Sequence, residues 1–163
     1  MPQRQCPGQA RRRPRAVGGP YLAALTVRHN VLVFPYRIDG GCRQYLLLKR
    51  VAAHGGFWQP VTGGVEPDEP AEAAAVRELT EETALTGRLV VTGLTGSFSW
   101  YGTHWQEDVF AWHVAGGSVI LGPEHEAYRW CGLAEAWWCL FWPLNRQHLA
   151  AIDRMLADPA AAA

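Results

Sequence analysis

The segment from Pro70 to about Thr83 fits a helix and little else, and its charges constrain what the rest of the chain must build around it. An Ala-rich run with Leu79 supplies helix propensity and a small-residue packing face, Pro70 suits a first turn, and Asp68 or Glu69 stands where a cap belongs. Glu78 and Glu82 lie four residues apart, about 40° from each other around the axis, with Glu81 beside Glu82. Like charges at this spacing oppose helix formation by roughly a few tenths of a kcal/mol per pair. They also crowd the C-terminal half, where the helix dipole favours cations. Glu69 and Glu72 sit at the favourable end, and Arg77 is the only Lys or Arg between Arg50 and Arg88. A cluster that works against its own helix invites an external cation. Hard divalent ions such as Mg²⁺ and Mn²⁺ take oxygen ligands and keep waters for a phosphorylated substrate. A solvated acidic face is the alternative that charge alone leaves open.

The net charge hides this concentration. The 163 residues carry 15 Lys+Arg and 15 Asp+Glu, a balance that argues against a generally basic, nucleic-acid-binding surface. Five of the arginines (Arg4, Arg11, Arg12, Arg13, Arg15) precede residue 16, where no acid stands, so residues 16–163 hold 10 basic and 15 acidic groups. Seven of those acids fall between Glu66 and Glu82. Residues 1–19, punctuated by Gly and Pro, read as a flexible arm; a transit-type segment, a nucleic-acid arm or an extended translation start are the other readings. Residues 20–157 form a single domain by length, with 48% hydrophobic residues and 8 Trp to fill a core, and the Ala-rich 158–163 tail frays. No run of 18 uncharged apolar residues and no secretory pattern is present, so no membrane is involved and the cytoplasm is the default address. Cys6, Cys42, Cys131 and Cys139 show no Cys-x-x-Cys spacing, which argues against a structural zinc site.

Along the chain, Tyr21–Val27 and Val31–Ile38 read as strands, and Pro35 predicts an edge position or a bulge for the second. Asp39-Gly40-Gly41 turns into a strand over Gln44–Lys49, followed by a loop at 51–57. Leu89–Thr92, Gly96–Trp100 and Val109–Val114 read as short strands, Ala134–Trp138 as a short helix, and His54 and His104 as loop residues. Asn145 opens a last helix with Leu149, Ile152 and Leu156 on one stripe. Strands around two helices indicate an α/β sandwich.

Residues 63–85 carry more than charge. Gly63, Glu69, Arg77, Glu78, Leu79, Glu81, Glu82 and Leu85 match a spacing of Gly, five residues, Glu, seven residues, Arg-Glu-apolar-any-Glu-Glu, and a closing apolar residue. This resembles the Nudix box, with Ala84 where the box has a helix-ending glycine. The resemblance implies a Nudix-type α/β/α sandwich with a mixed β-sheet and a catalytic loop–helix–loop. It also implies Mg²⁺-dependent hydrolysis, with Mn²⁺ as a substitute, of a nucleoside diphosphate linked to another moiety. By that resemblance Glu78 and Glu82 hold the metal and Glu81 is a ligand or the base that activates water. Arg77 braces the glutamates, Glu69, Leu79 and Leu85 shape the box, and Gly63 is a candidate for substrate contact.

The surrounding residues narrow the resemblance. Phe57-Trp58-Gln59-Pro60-Val61-Thr62-Gly63 and Glu124-His125-Glu126-Ala127-Tyr128-Arg129-Trp130 are similar to the dihydroneopterin triphosphate (or dATP) pyrophosphohydrolase branch, in which Glu124 would add a metal ligand. The segment between the box and Glu107 is shorter than in that branch. The implied substrate is a small triphosphate, dihydroneopterin triphosphate or a purine (deoxy)nucleoside triphosphate, cleaved to a monophosphate and pyrophosphate by a monomer or homodimer. The alternatives are dinucleoside polyphosphates, nucleotide sugars, or a non-catalytic nucleotide-sensing domain. Phe57, Trp58, Trp100 and Tyr101 are candidates for ring stacking, against ordinary core filling. Lys49 and Arg50 end a strand and are candidates for phosphate contact, against a solvated strand end or a salt bridge to the box. His125 reads as a surface histidine, and Cys131 and Cys139 as small packing residues.

Overall fold

The computed structural model describes residues 26–158. The expectations for the arm at 1–19, for the first part of the initial strand (Tyr21–Leu25) and for the tail beyond Asp158 fall outside these residues. Seven strands make one mixed sheet: β1 (Thr26–Asp39), β2 (Cys42–Arg50), β3 (Trp58–Gln59), β4 (Val61–Gly64), β5 (Thr86–Trp100), β6 (Thr103–Gly116) and β7 (His125–Gly132). The main order is β3-β2-β1-β6-β5, with β4 also paired to β1 and β7 to β2. The β1–β6 pair is parallel and the other pairs are antiparallel.

The run Val31–Tyr36 is apolar without alternation because β1 is covered on both faces. Val31 and Val33 pack with Leu46, Leu48, Val61, Leu79 and Phe110 under helix α1 (Ala71–Thr83). Leu32, Phe34 and Tyr36 point the other way, to Tyr45, Leu47, Leu149 and Ile152 beneath α2 (Leu133–Cys139) and α3 (Pro143–Ala157). This is the α/β/α sandwich that the sequence implies.

Several local expectations are corrected. Pro35 is neither on an edge strand nor at a bulge. On one flank of β1, β4 pairs with Asn30–Val33 and β2 with Tyr36–Asp39, so Pro35 falls in the gap between two ladders, where a residue without an N–H is tolerated. Leu89–Thr92 and Gly96–Trp100 belong to one strand, because Gly93 (φ 68°) absorbs a register shift between Val91 and Leu94 instead of ending it. His104 lies on β6, not in a loop. Residues 125–132, which carry no strand signal of their own, form β7 along β2. Helix α3 starts earlier than Asn145: Trp142 is its N-cap and Pro143 occupies the first turn, leaving Asn145 buried. Neither Asp68 nor Glu69 caps α1. Pro70 takes that position without a side-chain cap bond, and Glu69 is engaged elsewhere.

Candidate active site

The box forms a strand, a turn and a helix around one arginine. Glu66 to Glu69 make a tight turn with Asp68 in the left-handed region (φ 64°), closed when the Glu69 N–H donates to the Glu66 carbonyl and the Glu66 N–H to the Glu69 carboxylate. This turn brings Glu69 back to Arg77, one and a half turns along α1. Arg77 grips both Glu69 oxygens (3.0 and 2.9 Å), the Glu78 carboxylate (2.7 Å) and the Gly64 carbonyl (2.9 Å). Those hydrogen bonds hold the Glu69 carboxyl far below the usual carboxylate range and raise the guanidinium in turn. One planar donor group thus ties the loop, β4 and the start of the acidic face together. Glu81, more exposed, lies 3.7 Å from the same guanidinium.

The end of α1 is equally determined. Ala84 adopts the left-handed conformation (φ 56°) that the box reserves for glycine, and its N–H bonds to the Thr80 carbonyl. The helix therefore ends in the same kind of turn despite the substitution. The carbonyls of Glu82 and Thr83 accept the N–H groups of Gly122 and Ile120. That packing docks the segment after β6 on the helix end and carries Glu124 toward the glutamates. Leu79 and Leu85 are buried beneath.

The resulting cleft, about 780 Å³, is lined by Glu78, Glu81, Glu82, Glu124, Arg50 and His125, among others. Glu82 is 8% exposed and is pushed up to about 8, first by burial and then by the negative charges of Glu78 and Glu124; Arg50 and the Thr62 N–H oppose the rise. Its Oε2 is buried without a partner. Glu78 is also raised, chiefly by burial, with Arg77 opposing and Glu81 and Glu124 adding to it. Glu124 accepts from Arg50 at 2.9 Å. An oxygen-only donor set, unfavourably buried and with one orphaned oxygen, fits a hard divalent cation.

The other sequence candidates separate clearly. Arg50 lines the cleft, whereas Lys49 pairs with Glu126 at 2.6 Å and does not line it. His125 is not on the surface: it is buried, neither ring nitrogen has a partner, and burial with nearby Arg50 lowers its pKa. A second pocket of about 610 Å³ shares Asn30, Thr62 and Trp105 with the cleft and is walled by Phe98, Trp100 and Trp142. Of the proposed stacking residues only Trp100 lines it. Tyr101 is 91% exposed at the β5–β6 turn, Phe57 stacks on Phe141, and Trp58 packs against the core beneath Arg129. Sequence reading missed Trp105, Trp142, Gln59 and Glu107 because β3, β6 and the start of α3 converge only in the fold.

Comparison with known proteins identifies the family and the fold. The NUDIX domain profile matches residues 26–155. An octanoyltransferase of Myxococcus xanthus is 39% identical over 97 residues, 56% of this chain but only 27% of that protein, so the chain spans about a quarter of that relative. A bis(5'-nucleosyl)-tetraphosphatase (asymmetrical) of Sus scrofa is 33% identical over 110 residues, covering 61% of this chain and 71% of the relative. The structure of the E. coli dihydroneopterin triphosphate pyrophosphohydrolase superposes with a TM-score of 0.63 at 29% identity, covering 76% of this chain and 94% of that one.

Proposed function

The chain belongs to the NUDIX family, and from that premise we propose that it is a divalent-metal-dependent pyrophosphohydrolase that cleaves a small triphosphate to a monophosphate and pyrophosphate. The observation that carries the reading is Glu82, a buried carboxylate with one unpartnered oxygen, set among Glu78, Glu81 and Glu124 in an open cleft. Glu78, Glu82 and Glu124 would hold Mg²⁺ or Mn²⁺, with Glu81 as a further ligand or as the base. A cation there lowers the pKa of bound water and offsets charge building on the phosphoryl oxygens. Arg77 fixes the Glu78 carboxylate and leaves it facing the cleft. Arg50, held by Glu124, and Arg28 both line the cleft and are at hand for phosphate oxygens. In the hydrolytic step, water adds to one phosphorus, a phosphoanhydride oxygen leaves, and Glu81 would take the proton released by the water.

The aromatic pocket beside the cleft supports a substrate with one flat ring system and a phosphate tail. A dinucleoside polyphosphate, the substrate type named for the porcine relative, offers a second ring. The aromatic pocket that adjoins the acidic cleft accommodates one ring beside the phosphate site, which fits the mononucleotide-like class. A silent sensing domain would not need the full set Arg77, Glu78, Glu81 and Glu82. No described helix is long and apolar enough to cross a membrane. The test is pyrophosphate release over a panel of purine, pyrimidine and pterin triphosphates, with Mg²⁺ and with chelator. Metal-dependent turnover of one or more is expected, and turnover of none rejects the enzyme reading.

A further inference from the structure

We propose that Glu107, at the floor of the aromatic pocket, reads the 2-amino-4-oxopyrimidine edge shared by guanine and pterins and so selects the ring of the substrate. The inference deepens the hydrolase reading above and rests on it. Glu107 sits on β6 between Asn30 of β1 and Gly96 of β5, on the sheet face that α3 covers. It is 6% exposed, yet it lines the pocket with Asn30, Trp105 and Trp142. Room for its carboxylate comes from Gly96, where a Cβ would stand 3.3 Å from Oε2 and 2.9 Å from the Nε2 of His148.

Burial alone, with no charge or hydrogen bond opposing it among the described residues, pushes the Glu107 carboxyl up to about 7. A buried carboxyl left without partners is costly to a fold and is retained where something else completes it. His148 does not do so: its own Nε2 is buried without a partner and its pKa is lowered by burial. The same pocket contains Gln59, 4% exposed, whose Nε2 is also unpartnered, and buried Asn145. Two buried polar side chains, Glu107 with no counter-charge and Gln59 with an unpartnered Nε2, thus face one aromatic pocket, the pattern of a site built for a polar, flat ligand.

The chemistry of the donors decides which ring. In its ionised form, which Glu107 takes above about 7 and in which the binding and rate measurements at pH 8 are made, a carboxylate offers two acceptors side by side, and the matching edge has two adjacent N–H donors. Guanine presents them at N1 and the 2-amino group, and pterins at N3 and the 2-amino group. Each carries a keto oxygen next to that pair, which the Gln59 amide can meet as donor. Adenine and cytosine place one amino donor beside a ring acceptor, and uracil flanks its single donor with two acceptors. Against any of these, one Glu107 oxygen would face another acceptor or nothing, and a site built on hydrogen bonds rejects such analogues strongly.

Two measurements separate this assignment from the hydrolase reading. Binding of GMP, IMP and AMP is followed without metal by quenching of tryptophan fluorescence, and kcat/KM is measured with Mg²⁺ for GTP, ITP, ATP, CTP, UTP and dihydroneopterin triphosphate. GMP should bind at least about tenfold more tightly than IMP, which lacks only the 2-amino group, and than AMP. Glu107→Gln, which keeps the size but replaces one acceptor by a donor, should reduce the GMP-to-AMP ratio by at least about tenfold. Equal binding of GMP, IMP and AMP, or an unchanged ratio in a folded Glu107→Gln protein, would overturn the assignment whatever the turnover. Ring-selective binding with no turnover of any triphosphate would uphold the assignment and overturn the hydrolase reading instead. Whichever of GTP and dihydroneopterin triphosphate has the larger kcat/KM identifies the source of the ring.

Discussion

Gly63 and Glu78 are fitted to one another: a Cβ on residue 63 would overlap the carboxyl carbon and both oxygens of Glu78. The first residue of the box is therefore a glycine because β4 runs directly against the carboxylate that Arg77 holds in place. Gly63→Ala should displace that carboxylate and lower kcat by about 100-fold, the scale expected when a reacting group is shifted by roughly an ångström. The circular dichroism spectrum should stay native, since the backbone at Gly63 is not in the left-handed region. Full activity in the alanine variant would show that Glu78 needs no such cradle.

Arg77 serves through the shape of its guanidinium as much as through its charge. Its bonds to Glu69, Glu78 and Gly64 use a planar fork that an ammonium cannot reproduce. Arg77→Lys should lower kcat by at least about tenfold and cost about 1 kcal/mol in urea denaturation, a modest figure because the group is partly solvated. Retained kcat with lysine would mean that charge alone suffices.

Ala84 bears a strain that the glycine of the box avoids. A non-glycine residue at φ 56° costs about 1–2 kcal/mol, part of which glycine returns through its greater freedom when unfolded. Ala84→Gly should therefore stabilise the protein by about 1 kcal/mol, read from the urea midpoint at constant m-value. Activity should be unchanged, because Ala84 touches none of the acidic cluster's bonds.

This helix end also marks what the sequence makes legible. The acidic face, its register and the apolar stripe of α3 follow from spacing within one element, and the structure retains them. Pro35, Gly93 and Asn145 mislead because each is a local signal outweighed by its neighbours: two ladders meeting around Pro35, a bulge at Gly93, and a proline-led start two residues before Asn145. The buried state of His125 and the pocket floor at Glu107 could not be read, since they depend on β7 pairing with β2 and on α3 crossing the sheet. Long-range pairing has no signature in a short window of sequence.

Burial of Glu107 should make stability depend on pH. The native carboxyl keeps its proton up to about 7, while the unfolded chain releases it near the ordinary value of 4.5. Below 4.5 both states are protonated and nothing is lost. As pH rises from 4.5 to about 7 the native state binds more protons, so stability falls, by up to about 3 kcal/mol in total. Urea melts of the metal-free wild type and Glu107→Gln at pH 5, 6, 7 and 8 should diverge, with the glutamine variant gaining relative stability as pH rises and levelling off above 7. Parallel curves would contradict the placement of this carboxyl.

The most direct test of the account is the rate of pyrophosphate release with Mg²⁺ by the wild-type protein and by Glu82→Gln, which keeps the shape of the buried side chain and removes its charge. The expected result is chelator-sensitive turnover of a purine or pterin triphosphate by the wild type, and a loss of at least about 100-fold in a glutamine variant that remains folded. Equal rates in the two proteins, or turnover that survives the chelator, would contradict it.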